Sequence, residues 1–235
     1  MAAKTVLITG ANRGIGLAFT EHYSRLKGGG VDEERRHGGR GTLAQMRLKK
    51  LAPWKLIPID TGDEQSILKA AETLKDVPID LLINNAGVLE DKNLTTTTKE
   101  DLMRQFEVNA VGPFLMTRAF LPSLRLAAQK NGSAFVTQTT SRMGSISDNT
   151  SGGYYGYRAS KTALNMITKS LALDLKDEKI GCLLAHPGYV ATAMVGHRGN
   201  INPKESVIGL TKIIENATLE DSAKVFHCEG YELPW

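Results

Sequence analysis

Cysteine is scarce in this chain, with two among 235 residues, Cys182 and Cys228. Two thiols in apolar surroundings (Gly181-Cys182-Leu183-Leu184 and Phe226-His227-Cys228) suit small, buried side chains in a reducing compartment better than a disulfide framework. The five histidines show no metal-ligand spacing, so no metal is expected. No stretch approaches the ~18 consecutive apolar residues of a membrane span, and no charged-then-apolar leader precedes the first strand-like run. The expectation is a soluble, cytoplasmic protein with no membrane partner. Internal repeats are absent as well. The net charge of +4 is concentrated largely in one segment and implies no nucleic acid, although it suits an anionic ligand.

Hydrophobic residues make up 41% of the chain, and its length suffices for one sizeable core and is short for two, so residues 1–235 read as a single domain. Residues 4–9 form a short apolar run of the buried-strand type, ending at Gly10-Ala11-Asn12-Arg13-Gly14-Ile15-Gly16. A helix should start there. Gly10 permits the tight turn, Gly14 lets backbone approach a pyrophosphate, and Gly16 permits close contact of helix and strand, with phosphate at the helix N-terminus. The spacing is Gly-x-x-x-Gly-x-Gly, and an ordinary loop is the alternative. Arg13 sets a guanidinium at the loop's mouth, where it would pair with a 2′-phosphate and favour NADP(H) over NAD(H).

Further strands are expected at 54–59, 79–83, 133–137, 180–185 and 223–227, and helices at about 15–26, 63–74 with Asp63 as cap, 155–175 and 203–216 with Asn202 as cap. Residues 100–124 read as one long amphipathic helix bent at Asn109, Gly112 and Pro113. The alternation predicts an α/β fold, a doubly wound, Rossmann-type parallel sheet with helices on both faces. One region departs from it. Residues 31–45 are charged and Gly-rich, with Glu33, Glu34, Arg35 and Arg36 in succession, and contain no apolar run for a buried central strand. The second strand is therefore expected to be missing or looped out.

Tyr157-Arg158-Ala159-Ser160-Lys161 places a phenol and an ammonium on one helix face. A phenol titrates near pH ~10 alone; lowering it by about three units requires roughly 4 kcal/mol, which Lys161 and a second cation, a bound nicotinamide, would supply together. Asn84-Asn85-Ala86-Gly87 closes a strand with small and amide residues suited to lining a cofactor cleft. Ser141 and Ser145 follow another strand and offer hydroxyls to a substrate oxygen. His186-Pro187-Gly188-Tyr189-Val190-Ala191-Thr192 ends a third in a rigid turn suited to the nicotinamide end of a cofactor.

Taken together, Thr9-Gly10-x-x-x-Gly14-x-Gly16, Asn84-Asn85-Ala86-Gly87, Asn109, Ser141, Tyr157-x-x-x-Lys161 and Pro187-Gly188 resemble the short-chain dehydrogenase/reductase family, in the family's order. The stretch Ser141-Arg142-Met143-Gly144-Ser145-Ile146, the Gly152-Gly153-Tyr154-Tyr155 approach and the ending Glu232-Leu233-Pro234-Trp235 are similar to its carbonyl-reductase branch, which includes C-factor and sniffer-type proteins. The resemblance implies Tyr157 as acid/base, Lys161 lowering its pKa and holding the nicotinamide ribose, Ser141 orienting the carbonyl, and Asn109 positioning a water. It implies that residues 10–16 (Gly10, Asn12, Arg13, Gly14, Ile15, Gly16), Asp60, Asn85, Ala86, Gly87, Pro187, Gly188, Val190 and Thr192 hold the dinucleotide. Ser145 is a rival for the serine role, but Ser141 precedes x-x-Gly144 as the family's serine does. The expected function is an NADPH-dependent carbonyl reductase acting on a small, partly apolar carbonyl or alcohol, as a homo-oligomer (dimer or tetramer). The alternatives are an NAD-dependent alcohol or hydroxysteroid dehydrogenase and a catalytically impaired signalling or scaffold protein of the same fold.

Overall fold

A computed structural model describes residues 4–25, 30–34 and 50–235, with the backbone alone for 30–34. Among the described residues eight strands form one sheet: β1 (Val6–Ile8), β2 (Gly30–Glu34), β3 (Lys55–Pro58), β4 (Leu81–Asn84), β5 (Ala134–Thr139), β6 (Ile180–His186), β7 (Val225–His227) and β8 (Glu232–Leu233). Their order is β3-β2-β1-β4-β5-β6-β7-β8, parallel throughout except for the antiparallel β7–β8 pair. The helices among the described residues are α1 (Gly14–Arg25), α2 (Glu64–Thr73), α3 (Lys99–Phe106), α4 (Gly112–Ala119), α5 (Leu121–Asn131), α6 (Tyr155–Asp174) and α7 (Pro203–Asn216).

Period-two alternation in the central strands divides the core between the two faces. Leu7 and Leu82 point into one cluster with Ile67 of α2, Leu74 at its C-terminal cap, Met116 of α4 and Leu124 of α5. Val6, Ile8, Leu81 and Ile83 point into the other, with Phe19 of α1 and Leu210 of α7. Both cysteines are buried and free. Asp63 caps α2, and Asn202 and Glu205 form a reciprocal capping box on α7 behind Pro203.

Two expectations are corrected. The second strand exists: Gly30–Glu34 lies between β1 and β3, pairing Val6 with Gly30 through Ile8 with Asp32 on one side and Val31 with Lys55 through Glu34 with Pro58 on the other. The ladder is made by main-chain groups, and without β2 the facing N–H and C=O groups of β1 and β3 would go unpaired. The acidic composition is tolerated because the β1 pairing stops at Asp32, so Glu33 and Glu34 extend past it along β3 alone, at the sheet's carboxyl edge. The rest of the anomalous segment, residues 35–45, lies outside the described residues.

The expected bent helix over 100–124 is instead α3, a π-helical turn over Glu107–Val111, α4 and the start of α5. The π turn ends at Gly112, where an added Cβ would sit 2.4 Å from the Thr61 carbonyl oxygen, so this contact admits only glycine. β8, two residues long, carried no sequence signal.

Candidate active site

The strand order reverses between β1 and β4, and the crevice outside the carboxyl ends of such strands is where open α/β sheets bind ligands. A cleft of about 390 Å³ lies there, lined by Gly10, Asn12, Arg13, Gly14 and Ile15 after β1, Asn85, Ala86 and Gly87 after β4, Tyr157 and Lys161 of α6, and Pro187, Val190 and Thr192 after β6. Its ionisable side chains are Arg13, Tyr157, Lys161 and His197, and no carboxylate lines it among the described residues.

The loop after β1 is shaped for close backbone approach. Gly10 and Gly14 have φ of 68° and 54°, in the left-handed region that favours glycine. A Cβ on Gly16 would lie 2.1 Å from the Gly10 carbonyl oxygen, so Gly16 serves packing and does not line the cleft. Across the strand reversal, the Thr9 hydroxyl accepts from the Asn85 and Ala86 N–H groups at 3.0 Å each, and Asn85 Nδ2 donates to the Thr9 carbonyl at 3.0 Å. These bonds lock the two halves of the cleft together. Asp60 does not line it. Its carboxylate instead accepts from the Gly62 N–H at 3.0 Å, holding the turn after β3.

Lys161 is buried, and its Nζ donates to the Thr139 carbonyl at 2.7 Å. Burial pushes its pKa down to about 8. The same Nζ stands 5.7 Å from the centroid of the Tyr157 ring. In the chain by itself, burial pushes the Tyr157 phenol up to about 12, against a smaller opposing effect from the Ser141 hydroxyl beside it. Desolvation is the larger of the two causes, and the phenol stays protonated at neutral pH.

Ser141 stands against Tyr157, whereas Ser145 donates to the Trp235 carbonyl at 2.6 Å and faces away. Asn109 sits in the π turn, where Oδ1 accepts from the Val88 N–H at 2.9 Å and Nδ2 donates to the Val88 carbonyl at 2.8 Å and to Ser160 Oγ at 3.0 Å. Ser160 Oγ in turn donates to the Tyr157 carbonyl at 2.8 Å. Both Nδ2 protons are therefore used, and only a lone pair of Oδ1 is left for a water. A Cβ on Gly87 would approach Oδ1 to 3.1 Å, so the backbone is pressed against it.

Ser141 and Gly188 line a second recess of about 360 Å³, with Arg142, Met143, His186, Tyr189, Asn200, Ile201, His227 and Glu229. Tyr157 and Lys161 line the cleft, and Ser141, which stands against Tyr157, lines this recess. Burial, aided by His227, Arg142 and Lys161, holds His186 down at about 3, so its imidazole is neutral. Met143 and Ile201 give this recess apolar surface beside its hydrogen-bonding side chains.

The sequence profile of short chain dehydrogenases matches residues 4–202. The chain belongs to the short-chain dehydrogenase family. As an oxidoreductase of that family it is 42% identical to C-signal of Myxococcus xanthus over 164 residues, 67% of this chain and 93% of the relative. Its fold matches the NADPH-bound carbonyl reductase from chicken fatty liver with a TM-score of 0.91 and 34% identity, and the carbonyl reductase Sniffer of D. melanogaster with 0.89 and 29%, each over 100% of both chains.

In this short-chain dehydrogenase, sequence reasoning missed Thr139, Ser160 and the π turn. Thr139 and Ser160 act through a carbonyl and a hydroxyl bonded to backbone, which leaves no pattern to read. For the π turn, the Asn109-x-x-Gly112-Pro113 interruption was the available signal and gave a bend.

Proposed function

We propose that the protein is an NADP(H)-dependent carbonyl reductase acting on a small carbonyl compound. The observation that carries this reading is that Tyr157 and Lys161 line the cleft while Ser141, which stands against Tyr157, lines the adjoining recess. The cleft fits a dinucleotide: Gly10 and Gly14 open the backbone at the N-terminus of α1, and Arg13 stands at the mouth for a 2′-phosphate. Asn12, Ile15, Asn85, Ala86, Pro187, Val190 and Thr192 would hold the remainder, with Lys161 on the ribose. When bound, the dinucleotide supplies the hydride that reduces the carbonyl carbon.

The chain's own groups then manage the oxygen. Tyr157, kept protonated by burial, gives its proton to the developing alkoxide, while the Ser141 hydroxyl donates a hydrogen bond to the same oxygen. Lys161, titrating near pH 8, and a water on Asn109 Oδ1 would return the proton to Tyr157. Titratable groups of this kind gathered in a cleft support catalysis over a purely structural role.

NAD(H) dependence is the second reading, and β2 favours it, because that strand ends on Asp32, Glu33 and Glu34, beside the crevice where an acidic residue would suit a ribose 2′-hydroxyl and repel a phosphate. Homo-oligomer formation is also proposed, supported by the exposed Met103 and Phe106 of α3 and Met166 and Leu173 of α6. The deciding experiment follows oxidation of NADPH and NADH at 340 nm with a panel of aldehydes and ketones. Faster turnover with NADPH that Tyr157→Phe abolishes is expected, and no turnover of any carbonyl would refute the reading.

A further inference from the structure

Two histidines line the recess beside Ser141, and the sheet sets them there as a pair. His186 ends β6 and His227 ends β7, adjacent parallel strands whose register makes the two residues direct partners, so both side chains leave the same face. The Cys228 N–H donates to the His186 carbonyl at 2.9 Å and closes the ladder just beyond them. The imidazole centroids are 5.0 Å apart, edge against face, and a face of His227 is covered by the Tyr231 ring at 4.6 Å, nearly parallel to it. Packed in this way, the rings keep a fixed orientation.

The hydrogen bonds around the rings decide which atoms are left for a ligand. His227 Nδ1 accepts from the Glu229 N–H at 3.2 Å, so the neutral ring carries its proton on Nε2. Among the described residues every polar contact of this ring falls on Nδ1, which leaves the Nε2–H without a protein partner. His186 Nδ1 is buried and also has no partner among the described residues. A proton on it would be an orphaned donor, the rarer of the two unpartnered states in folded chains, so the proton of this ring belongs on Nε2 as well. Burial keeps both imidazoles neutral, His186 held down at about 3 and His227 below its ordinary value.

The recess thus offers two uncharged N–H donors. Its charged groups are Arg142, ion-paired with Asp148 at 2.8 Å, and Glu229, whose carboxylate stands 3.7 Å from His227 Nδ1. With the cation already paired and a carboxylate beside the donors, the ligand that fits is a neutral oxygen acceptor and not an anion. We propose that His186 and His227 are specificity-determining residues that donate from Nε2 to a neutral oxygen on the substrate's arm, so that the protein selects carbonyl compounds bearing a hydroxyl or ether oxygen a few atoms from the reacting carbon. This rests on the carbonyl-reductase reading above, in which Ser141 of the same recess holds the reacting oxygen.

The test uses full-length protein, saturating NADPH and a matched pair of ketones, 4-hydroxybutan-2-one and pentan-2-one, which differ only by a terminal hydroxyl in place of a methyl. Wild type should show a KM ~10-fold or more lower for the hydroxyketone, because the methyl leaves the donors unpaired. His227→Phe, which keeps a ring against Tyr231 and removes the donor, should bring the two KM values within ~2-fold of each other, and His186→Phe should narrow the gap in the same direction. His227→Gln, whose amide presents an N–H near the Nε2 position, should keep a preference of at least ~5-fold. A wild-type preference under ~2-fold, or one that survives in both Phe variants, would overturn the inference. Loss of the preference in His227→Gln as in His227→Phe, with the melting temperature lowered in both, would assign His227 to packing and overturn it as well. A protein that reduces other carbonyls but neither ketone overturns the inference alone, and one that reduces no carbonyl overturns the reading beneath it too.

Discussion

Lys161 carries the largest stability penalty among the site residues. A buried ammonium whose pKa falls from 10.5 to about 8 costs about 3 kcal/mol of differential stability at neutral pH. The penalty is full below pH 8, where folded and unfolded chains both hold the proton. It is relieved as pH rises from about 8 to 10.5, where the unfolded chain binds more protons. Lys161→Met loses the bond to the Thr139 carbonyl, worth about 1–2 kcal/mol, and so should be more stable than wild type by about 1–2 kcal/mol at pH 7. Thermal melts across pH 7 to 10 should show that advantage shrinking towards zero or reversing, while turnover is lost at every pH. A variant less stable than wild type at pH 7 would mean that the ammonium is better solvated than its burial implies. The companion change, Tyr157→Phe, should cut turnover by about 10²–10⁴-fold with NADPH affinity within a few-fold, since it removes the proton donor and little else. Equal turnover in a steady-state assay would remove Tyr157 from the chemistry.

The π turn over Glu107–Val111 shows how an element, and not a residue type, makes a site. An α-helix widened by one residue turns Asn109 inward, and functional sites are where such bulges concentrate. Asn109 then satisfies both backbone groups of Val88 and steadies Ser160 beneath Tyr157. Asn109→Ala would strand the Val88 N–H and carbonyl, at about 1–3 kcal/mol for each group left unpaired, so differential scanning calorimetry should show a clearly lower melting temperature. Turnover should fall with it. If only turnover fell, Asn109 would serve the chemistry without supporting the loop.

Such geometry marks the limit of sequence reading here. Tyr157, Lys161, the Gly10–Gly16 spacing and the parallel strands were legible because each rests on local periodicity or a short spacing. Asp60 shows the same limit, since a carboxylate at the end of β3 reads the same whether it faces a ligand or, as with Oδ1 here, closes a turn. β2 was missed for the opposite reason: side-chain polarity argued against a strand, and the unpaired main chain of its neighbours decided for one.

At the scale of the whole molecule the cleft is a seam. Gly10, Arg13 and Gly14 come from the half of the sheet containing β1 to β3, and Asn85, Lys161 and Thr192 from the half running from β4 onward. A ligand that spans the seam binds only the folded chain and must stabilise both halves together. At a hundred times its dissociation constant, NADPH should add about 2.7 kcal/mol, which for a domain of this size raises the melting temperature by about 5–10 °C. If Arg13 pairs with the 2′-phosphate, Arg13→Ala removes a charge-assisted bond worth roughly 1.5–3 kcal/mol. At the same NADPH concentration, a ~10-fold weaker affinity leaves only about 1.4 kcal/mol, so the shift should fall to about half or less. The NADH shift should be unaffected by the substitution. Equal shifts from both cofactors, insensitive to Arg13→Ala, would show that Arg13 does not read the phosphate, and would give weight to the acidic end of β2 and to NAD(H).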